Sequence, residues 1–93
     1  MGPAKISAYD FTPRFQREYK RVSPDIRRAV DQLFEDLMVN PNSHRCHGLR
    51  GYKPTIFAAD VLSNHSWQVT FEMDGETAVM RRLAIHQEID DSP

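Results

Sequence analysis

The hydrophobic period of the chain changes once, and that switch constrains the fold more than any other feature. Through residues 13–39 apolar side chains recur every three or four positions, and through residues 55–86 every second position. A run of helices followed by a run of strands excludes an alternating parallel-sheet fold. It predicts an α+β domain in which a helical hairpin packs on one face of a small antiparallel sheet. With 93 residues there is room for one domain, so residues 1–93 are read as a single unit. The opening Met-Gly-Pro carries no weight in this reading, and residues 88–93 are read as an acidic tail.

Local signals place the elements. Residues 4–9 (Ala-Lys-Ile-Ser-Ala-Tyr) alternate weakly and suit a first strand. Thr12-Pro13 and Ser23-Pro24 each read as an N-cap followed by proline at the first helical position, where the missing N–H costs nothing. Phe15, Tyr19 and Val22 make the apolar stripe of the first helix. Ile26, Ala29, Val30, Leu33 and Leu37 make that of the second, which Asn40-Pro41-Asn42 ends. After a loop through Gly51, residues 55–61 form a plausible strand and Ser63-Asn64-His65 a turn. From Ser66 to Met73 the alternation is strict, with Trp67, Val69, Phe71 and Met73 on the core side and Gln68, Thr70 and Glu72 opposite. Asp74-Gly75 predicts a type I′ hairpin, and a last strand runs from about Glu76 to His86. The expected order is β-α-α-β-β-β, with one sheet face buried and the other open to water.

Charge narrows the function classes. The formal net charge is −1, unlike the basic balance of most nucleic-acid binders. Its distribution is uneven: no acid lies between Leu37 and Ala59, whereas His44, Arg45, His47, Arg50 and Lys53 all do. Screening confines distant charges to about 8 Å of influence, so a basic segment can attract phosphate in a neutral chain. No apolar run approaches the roughly 18 residues of a membrane span, and the N-terminus lacks the apolar stretch of a signal peptide. The single cysteine, Cys46, has no internal disulfide partner, so a cytoplasmic location is the expectation.

The chemistry-bearing residues gather late in the chain. Arg82, Ala84 and His86 share one face of the last strand by the period-2 rule, and Gln68 and Thr70 should project onto that same open face. Histidine can act as base or acid near neutrality, and arginine can steady the charge developing on a phosphoryl group. The set suits metal-free RNA cleavage, in which a ribose 2′-OH attacks the adjacent phosphate. Each residue also has an ordinary role open to it. A strand-end histidine is commonly surface, Arg81 and Arg82 can be a solvated strand edge, and Trp67 is in phase with the core. Arg14, Arg17 and Arg21 make a solvated helix face that could also follow an RNA backbone. His44, Cys46 and His47 lack the second ligand pair of a zinc site, so no metal or cofactor is expected.

Taken in order, several segments carry a family likeness. They are the Phe15-to-Val22 helix, the helix ending at Asn40-Pro41, His47-Gly48-Leu49-Arg50-Gly51, Ser66-Trp67-Gln68-Val69-Thr70-Phe71, the Asp74-Gly75 turn, and a strand closing on His86. From about Tyr9 to Ile89 the chain resembles the RelE/ParE superfamily of type II toxins, closest in pattern to the YafQ and HigB branches. The resemblance implies ribosome-dependent cleavage of mRNA, with His86, His47 and Arg82 in the active site. Arg50, Lys53, Arg45, Gln68 and Arg81 would contact substrate, and the histidine that acts as base is left open. It also implies a cognate antitoxin, the ribosome and mRNA as partners, a toxin–antitoxin hetero-oligomer, and no membrane. A non-catalytic, ParE-like gyrase inhibitor or a member that only binds antitoxin is the alternative. Two positions depart from the family's habit: Gln68 stands where many members carry arginine, and no aromatic follows Phe71.

Overall fold

The computed structural model describes residues 1–93. The elements are β1 (Ala8–Phe11), α1 (Pro13–Arg21), α2 (Pro24–Val39), β2 (His47–Gly48), β3 (Ile56–Asp60), β4 (Trp67–Asp74), β5 (Thr77–Ile85) and α3 (His86–Asp91). The fold is α+β, with the helical hairpin on one face of a five-stranded sheet ordered β1-β5-β4-β3-β2.

Both helices start where their caps predict. The Thr12 and Ser23 hydroxyls accept from the backbone N–H groups of Phe15 and Ile26, each with a proline next in sequence. The hairpin is closed by the Tyr19 hydroxyl, 2.7 Å from Asp31, and by Phe15 and Phe34, whose rings lie 6.1 Å apart. Phe15, Val30, Leu33 and Leu37 reach the core and meet Val69, Phe71, Met80 and Leu83 from the sheet. All four apolar positions read for strand 66–73 belong to β4's core face: Val69 and Phe71 are fully buried, and Trp67 and Met73 pack at its margin.

The sheet differs from expectation in four respects. It is antiparallel only from β5 to β2, because β1 pairs with β5 in parallel, from Ala8 opposite Thr77 to Phe11 opposite Met80. β1 also begins later than the expected strand at residues 4–9. The hairpin loop is Gly75-Glu76 rather than Asp74-Gly75, since Asp74 still pairs with Thr77. Only Gly75 has positive φ, at 61°, which fits a II′ turn and not the I′ turn expected. Third, β5 carries a bulge. Thr70 faces Arg82 but Phe71 faces Met80, so Arg81 is an extra residue. The bulge resets the alternation, and both Met80 and Leu83 thereby reach the core.

The fourth difference bears on function. The face expected to be open is partly covered, because residues 86–91 form α3 and fold back onto β4 and β5. Ile89 is its buried anchor. A six-residue helix has little stability of its own, and burying one isoleucine contributes roughly 1.5–3 kcal/mol toward holding it there. No helix is long and apolar enough to cross a membrane.

Candidate functional site

On the sheet face opposite the helical hairpin, the register aligns His47, Ala58, Thr70 and Arg82 in one row across β2, β3, β4 and β5. Asp60, Gln68 and Ala84 make the next row. Gln68, Thr70 and Arg82 do share a face, as the alternation implies, but all three are buried.

Arg82 is committed to protein partners. Its guanidinium donates to Glu18 of α1 at 2.7 Å and to the Ser92 carbonyl at 2.8 Å. The reason is topological. β1 stops pairing with β5 at Met80, so the next stretch of the β5 edge lacks a strand neighbour. Glu18 fills the gap by accepting the Leu83 N–H at 3.0 Å, and the same carboxylate holds Arg82. Thr70 donates to the Pro93 main-chain oxygen at 2.7 Å. Arg81 pairs with Glu72 and lies 3.5 Å from that same oxygen. A freely exposed phosphate contact at Arg82 is therefore not what this conformation presents.

His47 and His86 are both exposed but are not brought together. His47 uses Nδ1 to donate to the Arg45 carbonyl at 2.7 Å. His86 opens α3, with Nε2 3.4 Å from Asp90 one turn later. Three strand spacings and four residues separate them, roughly 19 Å between Cα atoms. Arg50 and Lys53 are exposed in the loop between β2 and β3.

Arg45 and Gln68 converge on a residue that the sequence reading passed over. Asp60, at the end of β3, is buried and accepts from Gln68 Nε2 at 2.8 Å through one oxygen. Its other oxygen accepts from His65 Nδ1 at 2.6 Å, and the guanidinium of Arg45 lies 3.8 Å from it. Arg45 also donates to His65 Nε2 at 3.1 Å. The signals available in the sequence were an acid at the end of an apolar strand and a histidine five residues later in a turn.

His44 borders the cluster. Its ring contacts the Asp60 carbonyl at 2.9 Å and Asp36 at 2.7 Å. The hydrogen bond from His44, and then that from Gln32, hold the Asp36 carboxyl below the usual carboxylate range. Cys46 faces the core, where burial pushes its thiol up to about 12. No three His, Cys, Asp or Glu side chains are placed to hold a metal ion.

The order of elements and the hairpin over one face of the mixed sheet define a RelE-like toxin fold. Particular structures share it. A chain of the RelB–RelE antitoxin–toxin complex from Methanococcus jannaschii matches with a TM-score of 0.70 and 20% identity, over 90% of this chain and 99% of that one. The RelBE2 toxin–antitoxin complex from Mycobacterium tuberculosis gives 0.71 and 21%, over 92% and 98%. The Escherichia coli DinJ–YafQ complex gives 0.70 and 14%, over 91% and 97%. No protein-family model and no curated sequence matches the chain.

Proposed function

We propose that this chain is the toxin of a type II toxin–antitoxin pair and cleaves mRNA on the ribosome by histidine acid–base chemistry. The observation that carries the reading is the set of exposed imidazoles and guanidinium groups along the sheet face opposite the helical hairpin and its rim. Arg45 precedes β2 and His47 opens it, His65 precedes β4, and His86 follows β5, its N–H bonded to the Ser66 carbonyl at 3.0 Å. An imidazole near neutrality can take the 2′-OH proton or protonate the leaving 5′-oxygen. Arg45 supplies a cation beside His65, while Arg50 and Lys53 lie in the loop at the opposite end of β3. The solved antitoxin–toxin complexes of this fold support a cognate antitoxin as the partner; the ribosome and mRNA, in the cytoplasm, are the proposed target.

Purified protein added to a reconstituted translation reaction, with mRNA ends mapped by primer extension, tests the reading. New cuts at ribosomal A-site codons, reduced in His86→Ala or His47→Ala, support it. Intact message from folded wild-type protein rejects it. A second reading, a ParE-like inhibitor of gyrase or a member that only binds antitoxin, is favoured by the burial of Arg82 and Thr70 against the C-terminal segment and of Gln68 against Asp60. Inhibition of gyrase supercoiling with intact message would establish the gyrase form.

A further inference from the structure

We propose that Asp60, His65 and Arg45 form a general-base and phosphate-binding centre. In it, His65 takes the proton from a ribose 2′-OH, Asp60 positions its ring, and Arg45 binds the scissile phosphate. This rests on the reading above that the protein cleaves RNA, and it assigns the base to a histidine other than His47 and His86.

The ring of His65 has one tautomer compatible with its neighbours. The Asp60 carboxylate can only accept, so Nδ1 carries the hydrogen in the 2.6 Å bond. Arg45 can only donate, so Nε2 presents its lone pair at 3.1 Å. A base held this way has its reactive nitrogen pointing away from the buried acid and toward a cation. Asp60 is itself fixed by Gln68 at 2.8 Å and has little freedom to turn. The Arg45 side chain is 69% exposed and can leave Nε2 for an arriving phosphate.

Two further observations set this cluster apart. The chain has three non-glycine residues with positive φ, and all three lie here: His44 at 56°, Arg45 at 53° and His65 at 61°. Such backbone is disfavoured for residues with a Cβ and persists where the surrounding structure imposes it. Arg45, Asp60, Ser63 and His65 also line a surface hollow of about 420 Å³, within the range of small-ligand sites.

The step balances within RNA and water. His65 Nε2 removes the 2′-OH proton, and O2′ forms a bond to phosphorus. The phosphorus–O5′ bond breaks with its electron pair on O5′, which takes a proton from water. Arg45 neutralises charge on the non-bridging oxygens. The products are a 2′,3′-cyclic phosphate and a 5′-hydroxyl, and the His65 imidazolium returns its proton to solvent.

The test uses the same translation reaction with wild type, His65→Ala, His65→Asn and Asp60→Asn, each checked for folding by thermal unfolding. Asparagine tolerates positive φ, so His65→Asn separates loss of the base from loss of the turn. Both His65 variants are expected to cut at least about 100-fold more slowly, with added imidazole restoring part of the rate to His65→Ala. Asp60→Asn is expected to lower kcat with KM unchanged. Imidazole nitrogen NMR of the free protein should show His65 with hydrogen on Nδ1. Wild-type cleavage that persists undiminished in His65→Asn, or an Nε2–H tautomer, overturns this assignment and leaves the nuclease reading standing. Failure of wild type to cut removes both.

Discussion

Replacing Glu18 by alanine is the substitution that tests most directly how β5 is held. The Glu18 carboxylate accepts from Arg82 at 2.7 Å and from the Leu83 N–H at 3.0 Å. The side chains of the ion pair are only 8% and 17% exposed. Removing one partner of a buried pair costs about 3–5 kcal/mol, because the remaining charge is stranded in low dielectric. An orphaned backbone N–H costs about 1–3 kcal/mol by itself. The two do not add in full, since water entering one gap hydrates both groups, so a loss of about 3–5 kcal/mol is expected. Against the roughly 5–15 kcal/mol total of a small domain, that is a large fraction. At about 4–8 °C per kcal/mol it lowers Tm by at least about 12 °C.

Urea unfolding at neutral pH measures the loss, with two controls. Glu72→Ala breaks the half-exposed Arg81–Glu72 pair and should cost under about 1 kcal/mol. The double variant Glu18→Leu/Arg82→Met removes both charges and should recover most of the loss, because apolar groups can replace a buried pair at little cost. A loss below about 1 kcal/mol for Glu18→Ala, or a double variant no more stable than the single one, would refute the argument.

Other perturbations probe separate parts of the molecule. Ile89→Asp should release α3 at a cost of roughly 1.5–3 kcal/mol, seen as faster hydrogen exchange at residues 86–91 with the α2 amides unchanged. Cys46, its thiol raised to about 12 by burial, should resist thiol reagents at pH 8 until the protein is unfolded. The same shift has an alkaline consequence. The unfolded thiol ionises near 9 while the folded one stays neutral, so stability is complete below pH about 9 and falls as pH rises toward about 12. Cys46→Ala should flatten that decline in urea midpoints. Asp36 acts in the opposite direction: its lowered folded value makes the His44 contact stabilising above pH about 4 and lost as pH falls further. Asp36→Asn should therefore narrow the difference between urea midpoints at pH 5 and pH 3.

Local chemistry determined much of this protein from the sequence alone. Thr12-Pro13 and Ser23-Pro24 start helices because hydroxyl and proline act within one turn. Alternation from Trp67 to Met73 orients β4 because side chains of a strand point to opposite faces whatever the strand pairs with. The placing of Gln68, Thr70 and Arg82 on a common face was legible for the same reason. The tertiary structure decided what lies further apart in sequence. The choice of β5 as a parallel partner for β1, and of Glu18 to complete the edge that β1 leaves, depends on residues more than sixty positions apart. The bulge at Arg81 exists because Ala78, Met80 and Leu83 must all meet one core, a demand no single strand's periodicity expresses. The cover over the second face and the meeting of Asp60, His65 and Arg45 likewise follow from how β2, β4 and the C-terminal segment settle around β3 and β5. Periodicity reports which way a side chain points, and only the packed chain decides what it meets there.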